Sequence, residues 1–208
     1  MKYLIIIFLT VVFHHNLTAQ KAPLNSFIQS YATKNSFNGT ILIQQDTAII
    51  YHESFGIADR RFNLPINNET IYNIASITKA FTAVLILQLV EQGKLDLNRP
   101  FKTYLPQYPD QVSQKVTTNQ LLNHSSGIVL IDTVSSVDNA MKYGLGIFQT
   151  PHTSDQILKS FWDKPLVNKP GTKFTYNNAD YIILGKIIEE IYGKTYEEVL
   201  SEKIRQRI

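Results

Sequence analysis

Ser76 and Lys79 stand three residues apart at the head of a run, Ser76-Ile77-Thr78-Lys79-Ala80-Phe81, that continues strongly apolar to Val90. If the run is a helix, both side chains lie on one side with Cβ atoms about 5 to 6 Å apart, so the amine can fold back onto the hydroxyl. Desolvation against the apolar helix would favour the neutral amine, which can take the serine proton and leave an alkoxide-like nucleophile. The backbone N–H of Ser76, at the helix start, would then face a developing oxyanion. A lysine in a first helical turn also opposes the macrodipole, and a broken local rule is a pointer to function. The bare pattern carries little weight, because 13 Ser and 15 Lys give about one such match by chance. Its plain alternative is a capping serine with a lysine reaching along the surface to water.

Tyr176-x-Asn178 is the second candidate, and 11 Tyr with 15 Asn again make one chance match unsurprising. In an extended segment the two side chains point to the same side. A cationic lysine beside a tyrosine favours the phenolate, and a neighbouring amide can hold both the lysine and a substrate carbonyl. The alternative is a core aromatic next to a helix cap. His124-Ser125-Ser126-Gly127 brings a histidine and serines together, but adjacent residues rarely make a nucleophile and base, so this stretch reads as a structural turn.

Other chemistries drop out. None of the nine glycines opens a Gly-x-Ser elbow, and His52-Glu53 is not followed by a second histidine at helical spacing. Gly144-x-Gly146-x-x-Gln149 fails the dinucleotide pattern at its third glycine. With no cysteine there is no thiol nucleophile, thiolate metal site or disulfide.

Elements must hold the candidates in place. Leu24, Phe27, Ile28 and Tyr31 recur at helical spacing, and a β-hairpin follows, Ile41 to Gln45 and Ala48 to Phe55 around Asp46-Thr47. Ser76 occupies an N-cap position for a helix that Gly93 should stop, and apolar residues on nearly every face predict a central, fully buried core helix. Val116 to Asn123 is a short helix ended by the His124 turn, while residues 128–160 carry no clear pattern. A Pro170-Gly171 turn leads to Tyr176, a second strong helix runs from Tyr181 to Tyr192, and Thr195-x-x-Glu198 is a capping box for a last helix extending to Ile208.

The 208 residues, 44% hydrophobic and 18% charged, suit a globular chain of about one domain, and the net charge of +3 is dispersed, which argues against a nucleic-acid partner. Met1-Lys2-Tyr3, the apolar run Leu4 to Phe13 and small Ala19 have the shape of a secretory signal, so residues 1–19 are read as a leader cut by signal peptidase after Ala19. That predicts a periplasmic or secreted protein of residues 20–208, and the ten-residue run is too short to span a bilayer.

Taken in order, four blocks resemble the serine β-lactamase and penicillin-binding protein superfamily, in the branch of class C β-lactamases, D-Ala-D-Ala carboxypeptidases and related esterases. They are Ile74 to Lys79, Gly93 to Pro106, Thr118 to Gly127 and Pro170 to Asn178, within about residues 36–206. The resemblance implies an acyl-enzyme mechanism with Ser76 as nucleophile, Lys79 and Tyr176 as the base system, and Asn178 holding lysine and substrate. Which of Lys79 and Tyr176 takes the proton stays open. It implies an α/β (α+β) fold, an antiparallel sheet flanked by helices plus a helical region, with no cofactor or metal. Substrates would be small molecules or peptidoglycan-derived groups with an amide, β-lactam or ester bond. The family's third motif, a Lys- or His-Thr/Ser-Gly strand, does not occur here, since Lys194-Thr195 is followed by Tyr196. The C-terminal sheet strands are therefore expected to be missing and the chain is expected to be the N-terminal part of a longer enzyme, with little or no turnover of its own. The rival expectation is a non-hydrolysing module that binds peptidoglycan fragments or β-lactams.

Overall fold

A computed structural model describes residues 23–131, 138, 142 and 151–204. The leader with its cut after Ala19, the Gly144-x-Gly146 stretch and residues 205–208 lie outside the described residues, and the last helix, expected to extend to Ile208, ends at Lys203 with Ile204 as its C-cap. The chain divides into two compact units, Met1–Asn73 and Ile74–Ile208.

In the first unit, helix α1 (residues 23–34) precedes strands β1 (Gly39–Gln45) and β2 (Ala48–Phe55), an antiparallel pair in which Gly39 faces Phe55 and Gln45 faces Ala48. The expected hairpin is present, with Asp46 in the left-handed region at φ 53° and a bulge at Ile43/Gln44. Asn38 closes it: its Oδ1 accepts from Ile57 N at 2.7 Å, and its Nδ2 donates to Ile57 O at 3.1 Å. A Cβ on Gly56, at φ +84°, would come within 1.9 Å of that Oδ1, so only glycine fits. Two short strands, β3 (Ile57–Asp59) and β4 (Leu64–Pro65), form a second small antiparallel sheet. Ile28, Ala32, Tyr51 and Ile66 are the buried hydrophobic residues among those described here.

The second unit is helical. A 3-10 turn, Ala75–Ile77, runs into α2 (Thr78–Glu91), and short helices α3 (Asp110–Ser113), α4 (Thr118–Leu122) and α5 (Ser154–Lys159) follow. The long α6 (Asn178–Tyr192) and the shorter α7 (Tyr196–Lys203) complete it. The stop at Gly93 is as expected: Gly93 N donates to Val90 O at 2.9 Å and Lys94 N to Leu89 O at 2.9 Å, the paired bonds that close a helix when glycine adopts φ +69°. The Thr195/Glu198 capping box also forms, and Thr117/Gln120 and Thr153/Gln156 make two more.

Two expectations change. The centre of this unit is α6, which packs against α2, α4, α5 and α7 and buries Ile183, Leu184, Ile187 and Ile188 completely. Only one side of α2 is in the core, through Thr82, Leu85, Ile86 and Leu89, whereas Ile77, Val84 and Leu87 are 63%, 45% and 51% exposed. An all-round apolar helix therefore meets helices on one side only. The whole is a mixed α/β fold with small antiparallel sheets and helices.

Candidate active site

Ser76 does not cap α2. It sits inside the 3-10 turn, one residue after Ala75, which is held at φ 44°. A left-handed alanine costs on the order of 1 to 2 kcal/mol, and such backbone strain is characteristic of functional turns. Freed from capping, the Ser76 hydroxyl meets two partners. Its Oγ lies 2.7 Å from the Tyr176 hydroxyl, and it accepts from Lys79 Nζ at 3.2 Å.

Lys79, half-buried one helical turn on, donates its second bond to Asn178 Oδ1 at 2.7 Å and sits 4.9 Å from the Tyr176 ring centre and 5.6 Å from that of Tyr181. The four residues singled out from the sequence thus converge within hydrogen-bonding reach of one another. The route by which Tyr176 and Asn178 do so differs from the expected strand alternation. Asn177 is the N-cap of α6, accepting from Ala179 N at 3.0 Å, so Tyr176 lies on extended chain and Asn178 is already the first helical residue. The helix starts three residues earlier than Tyr181 because the Asn177 amide supplies the cap.

Behind Tyr176 lies a buried layer that the sequence reading treated as a turn. The segments 124–127 and 167–175 are laced by main-chain bonds of 2.8 Å from Val167 N to Gly127 O, Gly171 N to Ser125 O and Thr175 N to His124 O. His124 is buried, and its ring centre is 4.6 Å from that of Tyr176, 5.1 Å from Tyr181 and 5.9 Å from Phe174. Its Nδ1 lies 3.3 Å from Oδ2 of Asp180, whose Oδ1 accepts from Ser126 Oγ at 2.6 Å.

Asp180 has no solvent exposure, and burial pushes its carboxyl up to about 7 despite the Ser126 hydrogen bond. Its place in the first turn of α6 would favour the anion by only about 0.3 to 1 kcal/mol, less than the several kcal/mol that burying a charge costs. Burial, and then the nearby charge of Lys79, hold His124 below the ordinary histidine range. Burial thus disfavours the charged form of each, which speaks against an ion pair between them.

The sequence did carry a signal for Asp180. It falls on the same stripe as Ile183, Leu184, Ile187 and Ile188, a carboxyl at an apolar position of an amphipathic helix. Nothing local marked His124 as its partner, 56 residues away.

Known proteins resemble this chain in sequence and fold. The "Beta-lactamase" family model covers residues 24–207. Protein PbpX of Bacillus subtilis (strain 168) is 33% identical over 180 residues, 86% of this chain and 42% of that protein. Teichoic acid D-alanine hydrolase of Staphylococcus aureus is 27% identical over 88% of this chain and 42% of its own length. The structure of an octameric penicillin-binding protein homologue from Pyrococcus abyssi superposes with a TM-score of 0.71 at 35% identity, covering 89% of this chain and 42% of that one. The chain thus spans about two fifths of the length of these relatives. A nucleophile candidate at the head of an apolar helix, a lysine one turn on and a family match across nearly all described residues lead to one assignment: the chain belongs to the β-lactamase and penicillin-binding protein superfamily of serine hydrolases.

Proposed function

We propose that Ser76 is acylated by the carbonyl carbon of an amide, β-lactam or ester. The observation that carries this reading is the three-way contact of the Ser76 hydroxyl with Tyr176 at 2.7 Å and Lys79 at 3.2 Å, with Lys79 anchored on Asn178 at 2.7 Å. As Ser76 Oγ bonds to carbon, its proton passes to the base, and from there to the departing nitrogen or oxygen when the C–N or C–O bond breaks. Water then cleaves the acyl-Ser76 ester and restores the hydroxyl. The shorter contact favours Tyr176 as the acceptor. The ammonium of Lys79, between Asn178 Oδ1 at 2.7 Å and the Tyr176 ring, would stabilise a phenolate there. Asn178 positions Lys79 and offers its amide to the substrate carbonyl.

The protein is exported, with residues 1–19 removed after Ala19 by signal peptidase, and acts in the periplasm or outside the cell on a small-molecule or peptidoglycan-derived substrate. The names of its relatives support acyl groups of the cell wall or β-lactams as substrates. Residues 20–208 alone turn over little, because no Lys- or His-Thr/Ser-Gly strand is present to complete the oxyanion site, and one missing oxyanion donor costs about 10²- to 10³-fold.

The test is intact mass after incubation with a fluorophosphonate probe or a fluorescent penicillin, beside Ser76→Ala. One adduct on the parent chain and none on the variant is the expected result. Equal labelling of both removes Ser76 as nucleophile. Many turnovers of a p-nitrophenyl ester, abolished by Ser76→Ala, would overturn the low-turnover part, and an adduct that is never released would favour a non-hydrolysing binding module.

A further inference from the structure

His124 grips the chain on both sides of Tyr176. Its carbonyl accepts from Thr175 N at 2.8 Å, and its ring Nδ1 accepts from Asn177 N at 3.2 Å, while the ring packs 4.6 Å from that of Tyr176. The residue is itself in the left-handed region at φ 57°, an arrangement that L-residues other than Asn and Asp adopt at a cost. We propose that His124, neutral and with its proton on Nε2, is a positioning residue that sets the Tyr176 hydroxyl against Ser76 Oγ, and that protonating His124 loosens this grip. The proposal rests on the acyl-serine reading for what Tyr176 does, but the grip can be measured without it.

The chemistry of the ring makes the tautomer specific. Nδ1 has one in-plane lone pair, so it accepts from the Asn177 amide only while it carries no proton. An imidazolium presents N–H at both nitrogens, and the amide then faces a donor. The groups around His124 disfavour that state. Lys79 of α2 brings positive charge; Tyr176 and Phe174 of the extended segment and Tyr181 of α6 bring rings. Asp180 of α6, protonated below about pH 7, has its Oδ2 3.3 Å from the same Nδ1 and shares that one lone pair with the Asn177 amide, while Ser126 of the same loop satisfies the other carboxyl oxygen. Below the range in which Asp180 ionises, protonation of His124 is what breaks the grip. Displacing a reacting group by about 1 Å can cost on the order of 10²-fold in rate.

Two measurements on the full chain test this. Long-range ¹H–¹⁵N NMR, with His124→Asn to assign the signal, should show His124 as the Nε2–H tautomer at pH 6.5. It should titrate below the ordinary histidine value of about 6.5, with the Asn177 amide following. An Nδ1–H tautomer, or an ordinary or raised titration point, overturns the proposal even if Ser76 never labels, whereas absent labelling alone defeats only the acyl-serine reading.

The second measurement is the fluorophosphonate labelling rate between pH 4.5 and 6.5. His124→Asn keeps an acceptor near the Nδ1 position, tolerates the left-handed backbone and cannot be protonated. It should label within about tenfold of the parent and lose the fall in rate towards acid, while His124→Leu should label about 10- to 100-fold more slowly. A leucine variant labelling at the parental rate, or an asparagine variant keeping the parental acid fall, overturns the proposal. If the leucine variant does not fold, the asparagine variant decides alone.

Discussion

Asp180→Asn should make the protein more stable at pH 8 and leave it almost unchanged at pH 3. The native carboxyl, free of solvent contact, keeps its proton up to about pH 7, against an ordinary value of 3.8. A raised folded value means the stability it confers is complete below pH 4 and is lost as pH rises through 7, because the unfolded chain releases the proton first. At about 1.4 kcal/mol per pH unit between the two values, the loss at pH 8 is about 4 kcal/mol. Asparagine removes that loss while keeping an oxygen for Ser126 Oγ–H and gaining an N–H for His124 Nδ1. Urea unfolding followed by the fluorescence of Trp162, the single tryptophan, reads the unit concerned, since Trp162 packs against Tyr108 in the same core. His124 pulls the other way with pH, destabilising the native state as pH falls below about 6.5, but it is present in both proteins and drops out of their difference to first order. A variant weaker than the parent by about 3 to 5 kcal/mol at both pH 5 and pH 8 would refute the reasoning. That is the signature of breaking a buried ion pair, and it would mean that Asp180 is ionised against a protonated His124.

Lys79→Gln should slow labelling of Ser76 by about 10²- to 10⁴-fold, the usual span for a group in the proton-transfer system, and a rate within threefold of the parent would take Lys79 out of it. Gly127→Ala should lower the urea midpoint strongly, by about 2 to 3 kcal/mol or more, since its Cβ would stand 2.2 Å from Asn168 O on a backbone at φ +73°. Leu85→Ala, at a fully buried position of α2, should cost about 2 to 5 kcal/mol by the same measurement, and a loss below 1 kcal/mol would mean that this side of α2 is not close-packed.

What was legible in the sequence was local. Ser76 and Lys79 are one helical turn apart, and Tyr176 and Asn178 flank one cap, so spacing alone brings each pair together. The hairpin was legible because two β-rich runs meet at a two-residue turn, and the helix stop because Gly93 has no side chain to resist φ +69°. The base that orients the tyrosine was not legible. His124 reads as a turn residue, Asp180 lies just before the helix as read from Tyr181, and only the docking of α4 on α6 joins them. The misreading of α2 has the opposite origin. Its composition speaks for burial on every side, but composition does not say which partner supplies each side.

That last point bears on how the chemistry is divided. Ser76, Lys79, His124, Tyr176, Asn178 and Asp180 all belong to the unit from Ile74 onward, so the contacts around the Ser76 hydroxyl are assembled by helices and their connecting loops. The Lys- or His-Thr/Ser-Gly motif that the resemblance implies does not occur in this sequence. The exposed stripe of Ile77, Val84 and Leu87 starts one residue after Ser76, so the side of α2 next to the serine is apolar surface. On the proposed acyl-serine reading, activation of the serine and stabilisation of its tetrahedral product are separable: a reactive probe should acylate Ser76 through the contacts around its hydroxyl alone, and multiple turnovers would refute that separation.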